Sequence, residues 1–370
     1  MDVLILIFYW IFKGIFIVFS YIFKGIFYVI KELYYFIARQ FDTPTKTKTY
    51  STSRPTYTTP SMPTKPTTPT VSTAPAVIAT PKAAPQPKPR SFTVSKPDEF
   101  TIVDGKLTAY TGTAERVIIP DEVTSIDWLV FRGKKHLYEI VIPNGVHQID
   151  ALSFSECSSL TSIVLPDQLQ SIGDRAFYAC RALKTIVFPP SLRIIGTAAF
   201  SSSGLENVQL PDGVVSVGAQ AFELCNNLTF ASLGKQLKQV SVSTFACCRK
   251  LTHISIPDTV VCICSEAFHS CGNLKDLRIP PNVTSIGSRA FPNCDSLETI
   301  VIPSGVQRIE DSTFCQCEKL KHVSLPNGLR YIGSEAFYNC KNLEFVNVPG
   351  GCYVESDAFS YCPKVTVHRV

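Results

Sequence analysis

Fourteen cysteines and six histidines are the residues of this 370-residue chain best equipped for chemistry, as metal ligands, nucleophiles or disulfide partners. Nine of the cysteines share one setting. Cys157, Cys180, Cys225, Cys248, Cys271, Cys294, Cys317, Cys340 and Cys362 each follow a phenylalanine by three residues. A thiol repeated at a single phase predicts a column of small, buried groups that behave as apolar residues. Neighbours in such a column point the same way, which is poor geometry for a bond. Cys247, Cys262, Cys264, Cys315 and Cys352 fall off this phase. Of these, Cys262-Ile-Cys264 and the pair Cys247-Cys248 lie in adjacent units, which leaves room there for a metal cluster or a disulfide. No C-x-x-C pair exists, however, and His253 and His322 share a phase three units apart. At about 4.8 Å per stacked unit that is roughly 14 Å, too far to chelate one ion. Phosphate-cradling loops, H-E-x-x-H and G-x-S-x-G are absent from the sequence. No catalytic residue, cofactor or metal is expected, and the chain does not read as an enzyme.

The spacing of those cysteines belongs to a longer pattern. Phenylalanine recurs at 131, 154, 177, 200, 222, 245, 268, 291, 314, 337 and 359, every 23 residues apart from two steps of 22. Proline marks the same period, and one full unit runs from Leu274 to Ser296. A fixed period of this length predicts a solenoid whose units are stable only when stacked. In Leu297-Glu-Thr-Ile-Val-Ile302 the apolar residues alternate as in a strand, and Pro303 ends it. Stacking one strand per unit gives a parallel sheet roughly 50 Å long for eleven units. Val306 and Ile309 then return to the core, a glycine or small residue allows a tight corner, and Ala-Phe-x-x-Cys makes a short turn whose phenylalanine plugs the interior. Phe100–Val103 and Lys106–Tyr110, joined by Asp104-Gly105, read as a hairpin with a type I′ turn that caps the first coil.

Outward strand positions are the ones free to suit a ligand. Lys275, Glu298, Lys321 and Glu344, and Lys184 beside Glu206, predict a cross-strand ladder of alternating charge. Phe230, His253, Arg278, His322 and Phe345 are the candidate partner-binding residues, because exposed aromatics anchor partners better than charges do. Ser232, Ser255, Asp276, Ser324 and Asn347 complete that surface. Asn227-Leu-Thr and Asn282-Val-Thr are glycosylation sequons only in a secretory setting.

Two segments precede the repeats. Residues 1–41 are the most hydrophobic stretch, with Ile11-Phe-Lys-Gly-Ile-Phe16 recurring eleven residues later. Lys13, Ser20, Lys24 and Lys31 fall at steps of 7 and 11, which return to one helical face. An apolar helix with a narrow polar stripe suits a tilted span, an interfacial helix, or packed copies in an oligomer. Membrane association through 1–41 is expected, and a secretory signal is not, for want of a basic leading region. Residues 42–97 hold twelve prolines and fifteen threonines and read as a disordered stalk. Charge is split along the chain: 42–97 carries eight Lys/Arg against one Asp/Glu, while 98–370 carries 23 against 27. An acidic body behind a basic linker argues against nucleic acid as a partner.

The phrases Ile-Pro-Asp-x-Val-Thr-Ser-Ile, Ile-Gly-Ser-x-Ala-Phe and Asn-Cys-x-x-Leu resemble the BspA-like leucine-rich repeat family over about 99–370. The resemblance implies a curved leucine-rich repeat solenoid, with a parallel β-sheet on one side and short turns or 3-10 segments on the other. Such arrays occur often on bacterial and protist cell surfaces, where several members adhere to host or matrix proteins. It implies neither catalysis nor a shared ligand. The expected function is therefore a membrane-anchored repeat protein that binds a protein or other macromolecule on its sheet face. The alternative is a membrane-tethered scaffold inside the cell. The stalk and the resemblance favour the cell surface. Unpaired thiols, and Lys46, Lys48 and Arg54 after the hydrophobic segment, favour the cytoplasm.

Overall fold

A computed structural model describes residues 92–275 and 277–370. The expected membrane helix, most of the expected stalk and Asp276 lie outside the described residues. Among the described residues no helix is long and apolar enough to cross a membrane.

Each coil contributes to three stacked columns of backbone. The first holds the expected strands, three or four residues long, from Arg116–Ile118 through Phe230–Ser232 and His322–Ser324 to Thr366–Arg369. They pair parallel and in register, Phe230 opposite His253 and Ile300 opposite Val323. The ladder runs in segments of three, three and four strands, interrupted between Val164 and Asn207 and between Ser255 and Thr299. The inward middle residue of most of these strands is apolar and buried, as at Ile140, Val208 and Ile300.

A second parallel column was not foreseen from the sequence. Its strands are only two residues long, including Ser171–Ile172, Ile194–Ile195, Cys262–Ile263 and Tyr331–Ile332. The second residue of each faces inward, which explains the Val-x-x-Ile spacing after the proline. Gly173 follows one such strand because a Cβ there would lie 2.6 Å from the backbone nitrogen of Ala151 in the preceding coil.

The third column corrects the expectation of 3-10 segments. Among the described residues the one 3-10 turn is Pro97–Glu99, ahead of the array. Around the column phenylalanines the chain instead passes through left-handed backbone at single residues. Leu152 (φ 61°) and Glu156 (φ 64°) flank Phe154 at two residues on either side. Leu152, Phe154 and Glu156 donate N–H bonds to the carbonyls of Asp174, Ala176 and Tyr178 in the next coil, at 2.9, 2.9 and 2.7 Å. A left-handed non-glycine residue costs about 1 kcal/mol or more, and these inter-coil bonds offset it. None of the residues so placed is β-branched, the side-chain class least able to take positive φ.

The phenylalanines fill the interior. The ten column phenylalanines from Phe131 to Phe337 are fully buried. Successive rings down to Phe359 stack with centroids 5.1 to 5.7 Å apart. The preceding residue is alanine in most coils. Where it is polar, the hydroxyl bonds three residues back, Thr244 to the Ser241 carbonyl and Thr313 to the Glu310 carbonyl, each at 2.7 Å. A buried hydroxyl so satisfied carries little penalty.

The expected hairpin forms, with both turn residues at positive φ (Asp104 50°, Gly105 75°). It caps only the short-strand column, Leu107 lying opposite Ile126. The long-strand column begins with Thr93–Ser95 instead. Ser95 donates its N–H to Arg116 at 3.0 Å, and Arg116 donates to Thr93 at 2.9 Å. At the other end Thr366–Arg369 forms the last strand and is exposed along its whole length.

Candidate interaction surface

The outward residues of the long-strand column form a broad face along the array. Strand alternation puts the first and third residue of each strand outside and the second in the core. Two rows of side chains therefore run along the array, one position per coil.

The first row contains four of the five candidates. Phe230 lies directly opposite His253, and His322 directly opposite Phe345. The rings of His322 and Phe345 meet at 5.5 Å and 50°, and Phe345 is 48% exposed. His253 is tied to its own strand through Nδ1, 2.9 Å from Thr252 Oγ1. The structure thus sets two Phe–His pairs opposite each other in register rather than one cluster, with the coils of Arg278 and Thr299 between them. Arg278 belongs to the second row, and its guanidinium donates to Asp258 Oδ1 at 3.0 Å. Both partners are largely exposed, so solvent screens the pair and leaves Arg278 able to exchange Asp258 for another acceptor. Where the ladder is interrupted beside Arg278, a shallow groove of about 410 Å³ opens, lined also by Ile279, Pro281, Thr299, Val301 and Pro303.

Sequence reasoning missed the other end of the second row. Ile118, Val141, Val164 and Val187 occupy it in four successive coils, and Val187 is 84% exposed. Val301 repeats the feature beside the groove at 65%. The signal was present: these residues stand at the phase of Ser232 and Ser255, where nothing inward requires a branched apolar side chain. An exposed apolar stripe of this kind marks a contact surface more often than a lone exposed leucine does.

Charges on the flank of this face follow the expected ladder in part. Lys184 meets Glu206 at 3.1 Å and Lys321 meets Glu298 at 2.8 Å. The hydrogen bond from Lys321 holds the Glu298 carboxyl below its ordinary range, and the same bond raises the Lys321 ammonium. Being exposed, these pairs set register more than stability.

The cysteine column forms as expected. Each of its nine thiols donates to the carbonyl of a phenylalanine in the preceding coil, from Cys157 to Phe131 at 3.0 Å through Cys294 to Phe268 at 3.4 Å to Cys362 to Phe337 at 2.9 Å. Burial pushes the thiols of Cys157, Cys225 and Cys317 up to about 12, so they stay protonated and unreactive. All fourteen cysteines are unbridged. Among the described residues no group of three or more His, Cys, Asp or Glu side chains is placed to hold a metal ion.

A family model for the BspA-type leucine-rich repeat region matches the chain in six copies, over residues 101–229 and 238–366. The chain belongs to this family. Among solved structures, the BspA-type array is similar to a leucine-rich repeat protein from Bacteroides ovatus, with 24% identity, a TM-score of 0.55, and coverage of 76% of this chain and 89% of that one. That likeness shows the fold. The array is also similar to a leucine-rich repeat protein of T. pallidum (28% identity, 55% and 90% coverage, TM-score 0.46). A third similar structure is a leucine-rich cell surface protein of Faecalibacterium prausnitzii (26%, 75% and 92%, TM-score 0.41). No curated protein matches the sequence.

Proposed function

We propose that this BspA-type protein is a binding module held at a membrane by residues 1–41, with the outward face of the long-strand column receiving a protein ligand at the cell surface. The observation that carries the reading is the pattern of exposure on that face. Val164, Val187, Val301 and Phe345 each show 48% or more of their surface to solvent; Val164, Val301 and Phe345 stand on parallel-paired strands, and Val187 stands in the gap where the ladder is interrupted. Rigid, spaced apolar anchors among Ser, Asn and His side chains match the composition of a moderate-affinity protein interface. A surface lined with lysine and arginine would suit a polyanion; this face carries few, and the array is acidic beyond residue 97.

The unbridged state of all fourteen cysteines supports a second reading, a membrane-tethered scaffold in a reducing compartment. Protease shaving of intact cells separates the two. Loss of the repeat domain from the cell-associated fraction supports the outward module, and full protection supports the scaffold. Photo-crosslinkers at Val187 and Phe345 should then capture a protein that the same group at Gln316, on the turn column, does not. Equal capture from all three positions would refute a role for the sheet face.

A further inference from the structure

We propose that Cys262 and Cys264 form a redox site, a dithiol on the outer side of the short-strand column that closes to an intramolecular disulfide against a low-molecular-weight disulfide. The side chain of Ile263 between them is fully buried. Strand alternation therefore turns both flanking cysteines outward, where each is half-buried. Their sulfurs lie 3.7 Å apart. A disulfide needs about 2.05 Å, and Cys264 sits one residue beyond the strand Cys262–Ile263, where the chain is already turning. The residues opposite Cys262 in the neighbouring coils are Gln239 and Ser285. Neither is a bulky apolar side chain that would seal the pair.

No other outward cysteine pair among the described residues is joined by a sulfur–sulfur contact of this kind. The nine column thiols point inward, each committed to a phenylalanine carbonyl. Cys247, Cys315 and Cys352 stand off the column as single residues. Only two thiols converge at the Cys262 site, and a structural metal centre needs four ligands. Exchange chemistry, which needs two sulfurs, fits the site.

The order of events follows from the environments. Burial, and then the charge that Cys262 acquires on ionising, push the Cys264 thiol up to about 11. Cys264 therefore keeps its proton and acts second, as the resolving thiol. In the first step the Cys262 thiolate attacks one sulfur of RS–SR, forming Cys262–S–SR and expelling RS⁻. In the second, Cys264 gives its proton to RS⁻ or water and attacks the Cys262 sulfur, breaking the mixed disulfide and expelling the second RS⁻. Two protein thiols are oxidised to one disulfide, and RS–SR is reduced to two RSH, the proton that Cys262 released to solvent on ionising completing the second.

The test exposes the folded full-length chain to glutathione disulfide, then acid-quenches, alkylates and maps it by mass spectrometry. The expected product lacks two hydrogen atoms, links Cys262 to Cys264, and leaves the column cysteines reduced. In Cys264→Ser the glutathione adduct on Cys262 should persist at least roughly tenfold longer than in the native chain, for want of a resolving thiol. In Cys262→Ser, any glutathione adduct that forms on Cys264 should likewise persist at least roughly tenfold longer than the adduct in the native chain, for want of a partner thiol. The two variants serve as each other's control should one fold poorly. Three results would overturn the proposal: a native chain that accumulates the adduct like Cys264→Ser, a linkage from either residue to another cysteine, or equal closure rates in denaturant, which would make the fold irrelevant.

Discussion

Raising the pH should unfold the array from its cysteine column. At Cys157, Cys180, Cys225, Cys248, Cys271, Cys294 and Cys317 burial lifts the thiol above its ordinary value of 9.0, to about 12 where Cys157, Cys225 and Cys317 are concerned. The folded state therefore holds protons that the unfolded chain releases. Stability from these groups is fully present below the unfolded value and is lost as pH rises from there through the folded values. One unit above the ordinary value, near pH 10, each thiol costs about 1.4 kcal/mol of stability relative to pH 7. Seven together cost roughly 10 kcal/mol, comparable with the whole stability of an ordinary domain. Denaturant titrations in excess reductant at pH 7, 8, 9 and 10 measure this. Lysines and tyrosines also titrate in that range, so the decisive comparison is Cys180→Ala combined with Cys294→Ala. Removing two of the seven protons should reduce the loss between pH 7 and pH 10 by about 3 kcal/mol, whatever the substitutions cost at neutral pH. Parallel pH dependence in the native chain and the double variant would refute the reasoning.

The remaining expectations concern packing and binding. Phe268→Ala and Phe291→Ala each remove a ring stacked on its neighbour at 5.4 Å and should cost about 3–5 kcal/mol in denaturant titrations; native stability in both would place the phenylalanine column outside the core. Gly173→Ala forces a methyl against Ala151 backbone and should cost about 2–3 kcal/mol, whereas Gly133→Ala, with open space but φ +68°, should cost about 1 kcal/mol. Equal effects would mean that the neighbouring coils give way to the Gly173 methyl at little cost. Phe230→Ala, Arg278→Ala or Phe345→Ala should each weaken ligand binding by about 1 kcal/mol or more without changing the melting temperature, with Lys321→Ala smaller. Normal binding by all three would move the site elsewhere, the apolar stripe at Val164 and Val187 being next.

How much of this was legible before folding depends on whether a residue's role is local. The period of 23, the inward phenylalanines and the buried thiols follow from residue type and phase alone, because identical units stacked in register must place identical residues in identical surroundings. Strand alternation likewise exposed Phe230, His253, His322 and Phe345 without a structure. Three things needed the stacked coils. The left-handed turns at Leu152 and Glu156 are paid for by bonds to the next coil, so no propensity within one unit announces them. The capture of Arg278 by Asp258 joins residues twenty apart in sequence, which no repeat consensus pairs. The 3.7 Å approach of Cys262 to Cys264 depends on Ile263 entering the core and on the chain bending just after it. The sequence determined which side chains recur on which face; the inter-coil hydrogen bonds, which exist only between assembled neighbours, decided the backbone between them and hence which of those side chains meet.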